Sequence, residues 1–132
     1  MKSESSAKLY RLIDANLNRL REGIRVVEDI TRYIYDNKEL AQRLKDLRHQ
    51  ARYEDPQLLK FRDIQADVLK QSSSSEMERK GIESIMLANI KRTQEAARVL
   101  EESLKLIDTK VAQNFKTIRY ELYDIEKLLF EK

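Results

Sequence analysis

Residues 15–29 read A-N-L-N-R-L-R-E-G-I-R-V-V-E-D, and residues 88–102 read A-N-I-K-R-T-Q-E-A-A-R-V-L-E-E. One helical segment is written twice. Asn16 and Asn89, Arg19 and Arg92, Glu22 and Glu95, Arg25 and Arg98, and Glu28 and Glu101 recur at a constant offset. A second echo follows each copy, L-K-D-L-R-H at 44–49 and F-K-T-I-R-Y at 115–120. Two segments repeated in the same order indicate internal duplication. Packing alone preserves only apolar character. Retention of the same polar residues in both copies points to a paired role for them.

Composition agrees with a helical chain. The 132 residues suit one domain, 1–132, and 41% of them are hydrophobic, enough for a core. With 37% charged residues, 2 Gly and 1 Pro, there is little punctuation for strands and turns, so the fold class is all-α. The net charge is +3, with both signs interleaved, so no basic arm marks a nucleic-acid binder. A pI near 9.1 suits an anionic ligand without requiring one. Cysteine is absent and His49 is the single histidine, which excludes disulfides and makes a zinc site a poor fit. No apolar run approaches the ~20 residues of a membrane span. The start, M-K-S-E-S-S-A-K, lacks the apolar core of a signal peptide, so a cytoplasmic protein with no membrane partner is expected. The wealth of Lys, Glu and Arg is compatible with a heat-adapted source.

Helical periodicity divides the chain. Helix one is expected from Ser5 to Asp36, with Leu9, Leu12, Ile13, Leu20, Ile24, Val27 and Ile34 on its apolar face. Arg11, Asn18, Glu22, Arg25 and Asp29 lie opposite. Asn37 is a candidate N-cap for helix two, Lys38 to Tyr53, whose apolar line is Leu40, Leu44, Leu47 and Ala51. Asp55-Pro56 predicts a short helical piece over 57–61. Residues 62–75 have no period and end in serines, as a loop does. Ser75 to Glu78 forms an S-x-x-E capping box opening helix three, which is expected to reach Ile107 with Ile82, Ile85, Met86, Leu100 and Leu104 inward. Asp108-Thr109 restarts the chain as helix four, to Phe130. Hairpin one (5–55) and hairpin two (76–131) then build a helix bundle from duplicated halves with pseudo-twofold symmetry. A homodimer completing a larger bundle is the alternative.

Several residues are candidates for chemistry. Asn16 and Asn89 fall mid-face on the apolar stripe, where an unpartnered amide would cost about 1–3 kcal/mol. Each must be hydrogen-bonded, either to its twin, as polar core residues set register in coiled coils, or to a ligand. Arg19 and Arg92, at the stripe's edge, suit either a salt bridge or a phosphate in a cleft. Glu22, Arg25 and Asp29, echoed by Glu95, Arg98 and Glu102, read as a solvated charge ladder or a conserved-in-both-halves site. In the loop, Asp63 and Asp67 have the chemistry to share a hard cation such as Mg²⁺, and Arg62 could hold a phosphate. No phosphate-binding glycine loop can be built from Gly23 and Gly81. From the residues alone, a structural helical dimer with an interface ladder is the first reading.

The string D-A-N-L-N-R-L-R-E-G-I-R-V-V-E-D-I-T-R (14–32) resembles a known family. So do L-R-H (47–49), R-D-x-x-x-D-V (62–68), A-N-x-K-R-x-Q-E-A-x-R-x-L-E-E (88–102) and R-Y-x-L-Y-x-x-E (119–126). Together they are similar to the small helical domain often fused to the N-terminus of thiamin-phosphate synthase, regarded as a hydroxymethylpyrimidine-phosphate kinase. One departure is that the family loop continues D-V-G, whereas Asp67-Val68 is followed by Leu69. Glycine there would permit a positive φ. The resemblance implies an ATP- and Mg²⁺-dependent kinase whose partners are a pyrimidine phosphate, ATP and thiamin-phosphate synthase. For that reaction, the chemistry of the repeated positions leads us to expect phosphate contacts from Arg19, Arg25, Arg92 and Arg98, with Arg62 closing from the loop beside Asp63. Asp63 and Asp67 would hold Mg²⁺, Asn16, Asn18 and Asn89 would read the pyrimidine edge or position phosphate, and Glu22 and Glu95 would orient the arginines. A non-catalytic module that binds a pyrimidine phosphate or docks onto the synthase is the competing expectation.

Overall fold

The computed structural model describes residues 3–71 and 80–131, and within them every regular element is a helix. These are α1 (Ser3–Tyr33), α2 (Lys38–Gln50), α3 (Pro56–Lys60), α4 (Ile82–Leu104) and α5 (Thr109–Phe130). The expected capping box at Ser75 lies outside the described residues, but α4 does not open there: Lys80 and Gly81 are not helical, and the helix begins at Ile82.

Local chemistry sets the helix ends. Asn37 accepts a hydrogen bond from the Leu40 amide at 3.1 Å and starts α2. Just before it, Asp36 takes a left-handed φ of 51°, reversing the chain, so α1 stops at Tyr33 rather than at the expected Asp36. Asp108 starts α5 in the same way, accepting from the amides of Lys110 and Val111. Asn37 and Asp108 are separated by the offset of the second echo, so the outer helices of the two hairpins begin at matched positions.

They do not end at matched positions. Helix α5 continues for 22 residues, whereas α2 has 13 and stops at Gln50, short of the expected Tyr53. Pro56 keeps α2 from running on as α5 does. Its ring disfavours helical geometry at Asp55 and would clash with a preceding helical carbonyl. The chain instead turns through 51–55, Asp55 caps the Gln57 amide at 3.0 Å, and Pro56 becomes the first residue of α3. The short helix thus has Asp55 as its cap and Pro56 as its first residue, as that pair predicts, and ends at Lys60, one residue before the expected Phe61.

Helices α1 and α4 form the central pair, α2 and α3 flank α1, and α5 flanks α4. Ile13, Leu20, Ile24 and Val27 of α1 meet Ile90, Leu100 and Leu104 of α4 in a core that also takes Leu44, Phe115, Ile118 and Leu122. Full burial of each such side chain stabilises the fold by about 1.5–3 kcal/mol. At the crossing, a methyl group on Gly23 would lie 2.7 Å from Thr93 Cγ2, so only glycine lets the two helices approach this closely. Leu12, Ile34 and Ile82 do not join the core as expected. They are exposed, because the bundle covers a narrower stripe than simple periodicity assigns. Helix α4 ends at Leu104, not Ile107, where Ile107 and Asp108 bond back to the Leu104 carbonyl.

Matched polar residues make matched contacts. Glu28 of α1 receives Arg48 of α2 at 2.7 and 3.3 Å, and Glu101 of α4 receives Arg119 of α5 at 2.9 Å. Each pair ties one hairpin together. Asn16 and Asn89 do not use one another as the expected core contact. Each amide donates at 2.9 Å to the carbonyl four residues earlier, Leu12 and Ile85. Arg25–Asp29 and Arg98–Glu102 are exposed pairs within their own helices, at 3.4 and 3.3 Å. Among the described residues no helix is long and apolar enough to cross a membrane.

Candidate functional site

Asp14 sits beside Ile13 and Leu17 on the inward side of α1 and is 6% exposed. A carboxylate in that position needs a cation and hydrogen bonds to offset its lost hydration. Arg62, 48 residues later, supplies both. Its Nε donates to Asp14 Oδ2 and its Nη2 to Oδ1, each at 2.7 Å. This two-pronged, charge-assisted contact fixes the guanidinium plane. It also raises the Arg62 pKa, chiefly through these hydrogen bonds. Two further contacts hold the segment after α3 against α1. Tyr10 stacks on Phe61 with centroids 6.2 Å apart, and Arg11 Nη2 donates to the Asp63 carbonyl at 3.4 Å.

The result is a cleft of about 610 Å³ between the first half of α1 and residues 62–70. Lys8, Arg11, Arg19, Arg62 and Lys70 line it, against the carboxylates of Asp14, Asp63 and Asp67. The excess of fixed positive charge suits a multiply charged anion. A second cleft of about 500 Å³ adjoins it, sharing Asp14, Asn18 and Arg62 as a common wall. Its floor is apolar, from Leu17, Ala51 and Leu58, and Tyr53 stands at its side. Burial, together with a 3.0 Å hydrogen bond to Asp55, pushes the Tyr53 phenol up to about 12.

The loop aspartates are partly committed to backbone. Asp63 Oδ1 accepts from the amides of Gln65 and Ala66, and Asp67 Oδ1 accepts from that of Leu69. The bonds from Ala66 and then Gln65 hold the Asp63 carboxyl below its usual range. Among the described residues no cluster of three or more His, Cys, Asp or Glu forms a protein cage for a metal. Two carboxylates, each with Oδ2 outside these turns, fit the different demand of Mg²⁺, which keeps waters and takes substrate phosphates. Leu69 does not adopt positive φ, so its place in the loop carries no backbone strain.

Of the residues expected at a site, Asn18, Arg19, Arg62, Asp63 and Asp67 come together at this cleft. Asn16 is buried within α1, and Glu22 and Arg25 are exposed farther along that helix. Asn89, Arg92, Glu95 and Arg98 lie on α4 and line neither cleft. Sequence reasoning missed Asp14, Lys8, Arg11 and Lys70. Only Asp14 carried a signal, as an acidic residue between the core positions Ile13 and Leu17.

An all-helical domain whose basic cleft is organised by a buried aspartate–arginine contact is the class these features define. The chain belongs to the ThiD2 family, which it matches over residues 11–128. It is 38% identical over 130 residues to thiamine-phosphate synthase of Nostoc punctiforme, with 97% of this chain and 37% of that protein aligned. The enzyme of the same name from Synechocystis sp. is 39% identical over 96% of this chain and 37% of its own length. That of Synechococcus sp. (strain CC9605) is 41% identical over 90% of this chain and 34% of its own length. The chain thus spans a little over a third of these curated relatives. No solved structure matches it.

Proposed function

We propose that this domain acts in thiamin biosynthesis and transfers the γ-phosphoryl group of ATP to hydroxymethylpyrimidine phosphate. The observation carrying this reading is the Asp14–Arg62 contact, which aims a rigid guanidinium into a basic cleft in a member of the ThiD2 family. Relatives named thiamine-phosphate synthase support the pathway.

The chemistry asks for little covalent help. An oxygen of the acceptor phosphate is already ionised at neutral pH, so it attacks the γ-phosphorus without a general base. The bond from the γ-phosphorus to the β,γ-bridging oxygen breaks, and ADP leaves with the electron pair. Catalysis then consists of alignment and charge neutralisation. Arg62, held by Asp14, would contact the transferred group. Arg19, Arg11 and Lys70 would hold the polyphosphate, with Asn18 donating or accepting beside them. Mg²⁺, when bound, neutralises phosphate charge, and Asp63 and Asp67 would hold it.

The test is a coupled assay with ATP, Mg²⁺, hydroxymethylpyrimidine phosphate, thiazole phosphate and a separate thiamine-phosphate synthase. Thiamin phosphate formed only when this chain is present is the expected result. Stabilisation by the pyrimidine phosphate with no product would replace the kinase by a binding module.

A further inference from the structure

The two hairpins differ at one place that matters for ligand binding. Lys91 and Gln94 of α4 stand at the positions that Asn18 and Arg21 hold in α1. In the second hairpin that surface is filled. Helix α5 runs on past the point where α2 stops, and Glu126 accepts from Lys91 Nζ at 2.8 Å and from Gln94 Nε2 at 2.8 Å. In the first hairpin α2 has already ended and the chain has turned into α3. The surface of Asn18 and Arg21 is left as the wall of the 500 Å³ cleft. The early end of α2 therefore leaves open in the first half the place that Glu126 takes in the second, and the two halves are not equivalent as binding sites.

The opened cleft differs in chemistry from its neighbour. The first has an excess of cations and the loop carboxylates. The second balances Arg21, Arg52 and Arg62 with Asp14, Glu54 and Asp55 over an apolar floor. An apolar floor suits a flat ring, carboxylates suit an exocyclic amine, and arginines suit a single phosphate. Arg62 belongs to both clefts.

Building on the kinase reading, we infer that the Asp14–Arg62 pair divides the site into two compartments. The polyphosphate donor occupies the basic one, beside Arg11 and Lys70. The phosphorylated aminopyrimidine acceptor occupies the one opened by the early end of α2, beside Arg21, Tyr53 and Leu59. Phosphoryl transfer takes place at Arg62, where the two meet.

The assignment is testable without turnover. Leu59 is 69% exposed on α3 and lines only the second cleft, and Arg11 lines only the first. Equilibrium dialysis of the full chain would use hydroxymethylpyrimidine phosphate alone and ATP alone. Leu59→Trp is expected to weaken the pyrimidine phosphate at least tenfold and to change ATP less than twofold. Arg11→Glu is expected to do the reverse. Should Leu59→Trp fail to fold, Arg52→Glu carries the same expectation. Unchanged pyrimidine affinity in a folded second-cleft variant overturns the assignment, and so does equal weakening of both ligands by both variants. If wild-type protein binds both ligands with this pattern and turns over neither, the kinase reading fails and the two compartments stand. If wild-type protein binds neither, both fail.

Discussion

Arg62 reaches back across 48 residues to grip both oxygens of Asp14, at 2.7 Å each. The Asp14 side chain is 9% exposed and that of Arg62 is 42% exposed, so one end of the contact is anchored in the bundle and the other faces the cleft. That asymmetry suits an arginine whose plane is set by the protein and whose outer edge is offered to a ligand. Asp14→Asn should therefore keep the shape and lose the ionic fork, costing about 1–3 kcal/mol of stability. In the coupled assay kcat/KM should fall at least tenfold. Arg62→Lys should fall as far, because a lysine cannot fill both bonds. Full activity in either folded variant would remove this pair from the machinery.

Gly23 and Thr93 set the separation of α1 and α4. Gly23→Ala gains helix propensity worth about 1 kcal/mol, yet its methyl would meet Thr93 Cγ2 at 2.7 Å. Thr93 is β-branched and donates its hydroxyl to the Ile90 carbonyl, so it has little freedom to move aside. Urea denaturation should show a net loss of about 1–3 kcal/mol. Adding Thr93→Ser, which keeps the hydroxyl and removes the methyl, should restore most of it. Without that rescue, the close approach is not what glycine provides.

Glu101 and Arg119 are 7% and 9% exposed at the side chain, and Arg119 also lies against the rings of Tyr120 and Tyr123. The Arg119 Nε is buried without a hydrogen-bond partner, so Glu101 is its principal compensation. Glu101→Gln should cost about 3–5 kcal/mol by leaving a buried cation uncompensated. Replacing both by leucine and methionine should cost less than the single change. Thermal and chemical denaturation of the three variants would settle the ordering.

Glu126 supplies a pH dependence. Burial pushes its carboxyl up, but the bonds from Lys91 and Gln94 outweigh this and leave it below 4.5. A folded-state value below the unfolded one adds stability above about pH 4.5, and this is lost as pH falls through the folded value. The Glu126→Gln variant should be less stable than wild type at pH 7, and the gap should narrow as pH falls below about 4.5. A gap that stays constant across that range would rule out the ionised carboxylate as its source.

Much of the helical plan was legible in the chain. Asn37, Asp55-Pro56 and Asp108 mark starts because each cap acts on amides two or three residues away. The loop of 62–71 was legible from its lack of period, and part of the cleft was too, since Asn18, Arg19, Arg62, Asp63 and Asp67 all line it. The recurrence of Glu28 and Glu101 was visible, but their partners Arg48 and Arg119 were not, because each contact joins two helices.

By itself the sequence determined the all-α class and the caps that start its helices. These rest on hydrogen bonds and periodicities spanning a few residues. Tertiary structure decided which of the repeated residues share a cleft. Arg19 faces residues 62–70 while Arg92, its equal in the repeat, lines neither cleft, because only α1 has that loop laid against it. It also decided that Asp14 would meet Arg62. That contact depends on where the chain travels after α2 ends at Gln50 and α3 begins at Pro56, and no local pattern encodes the direction of that path.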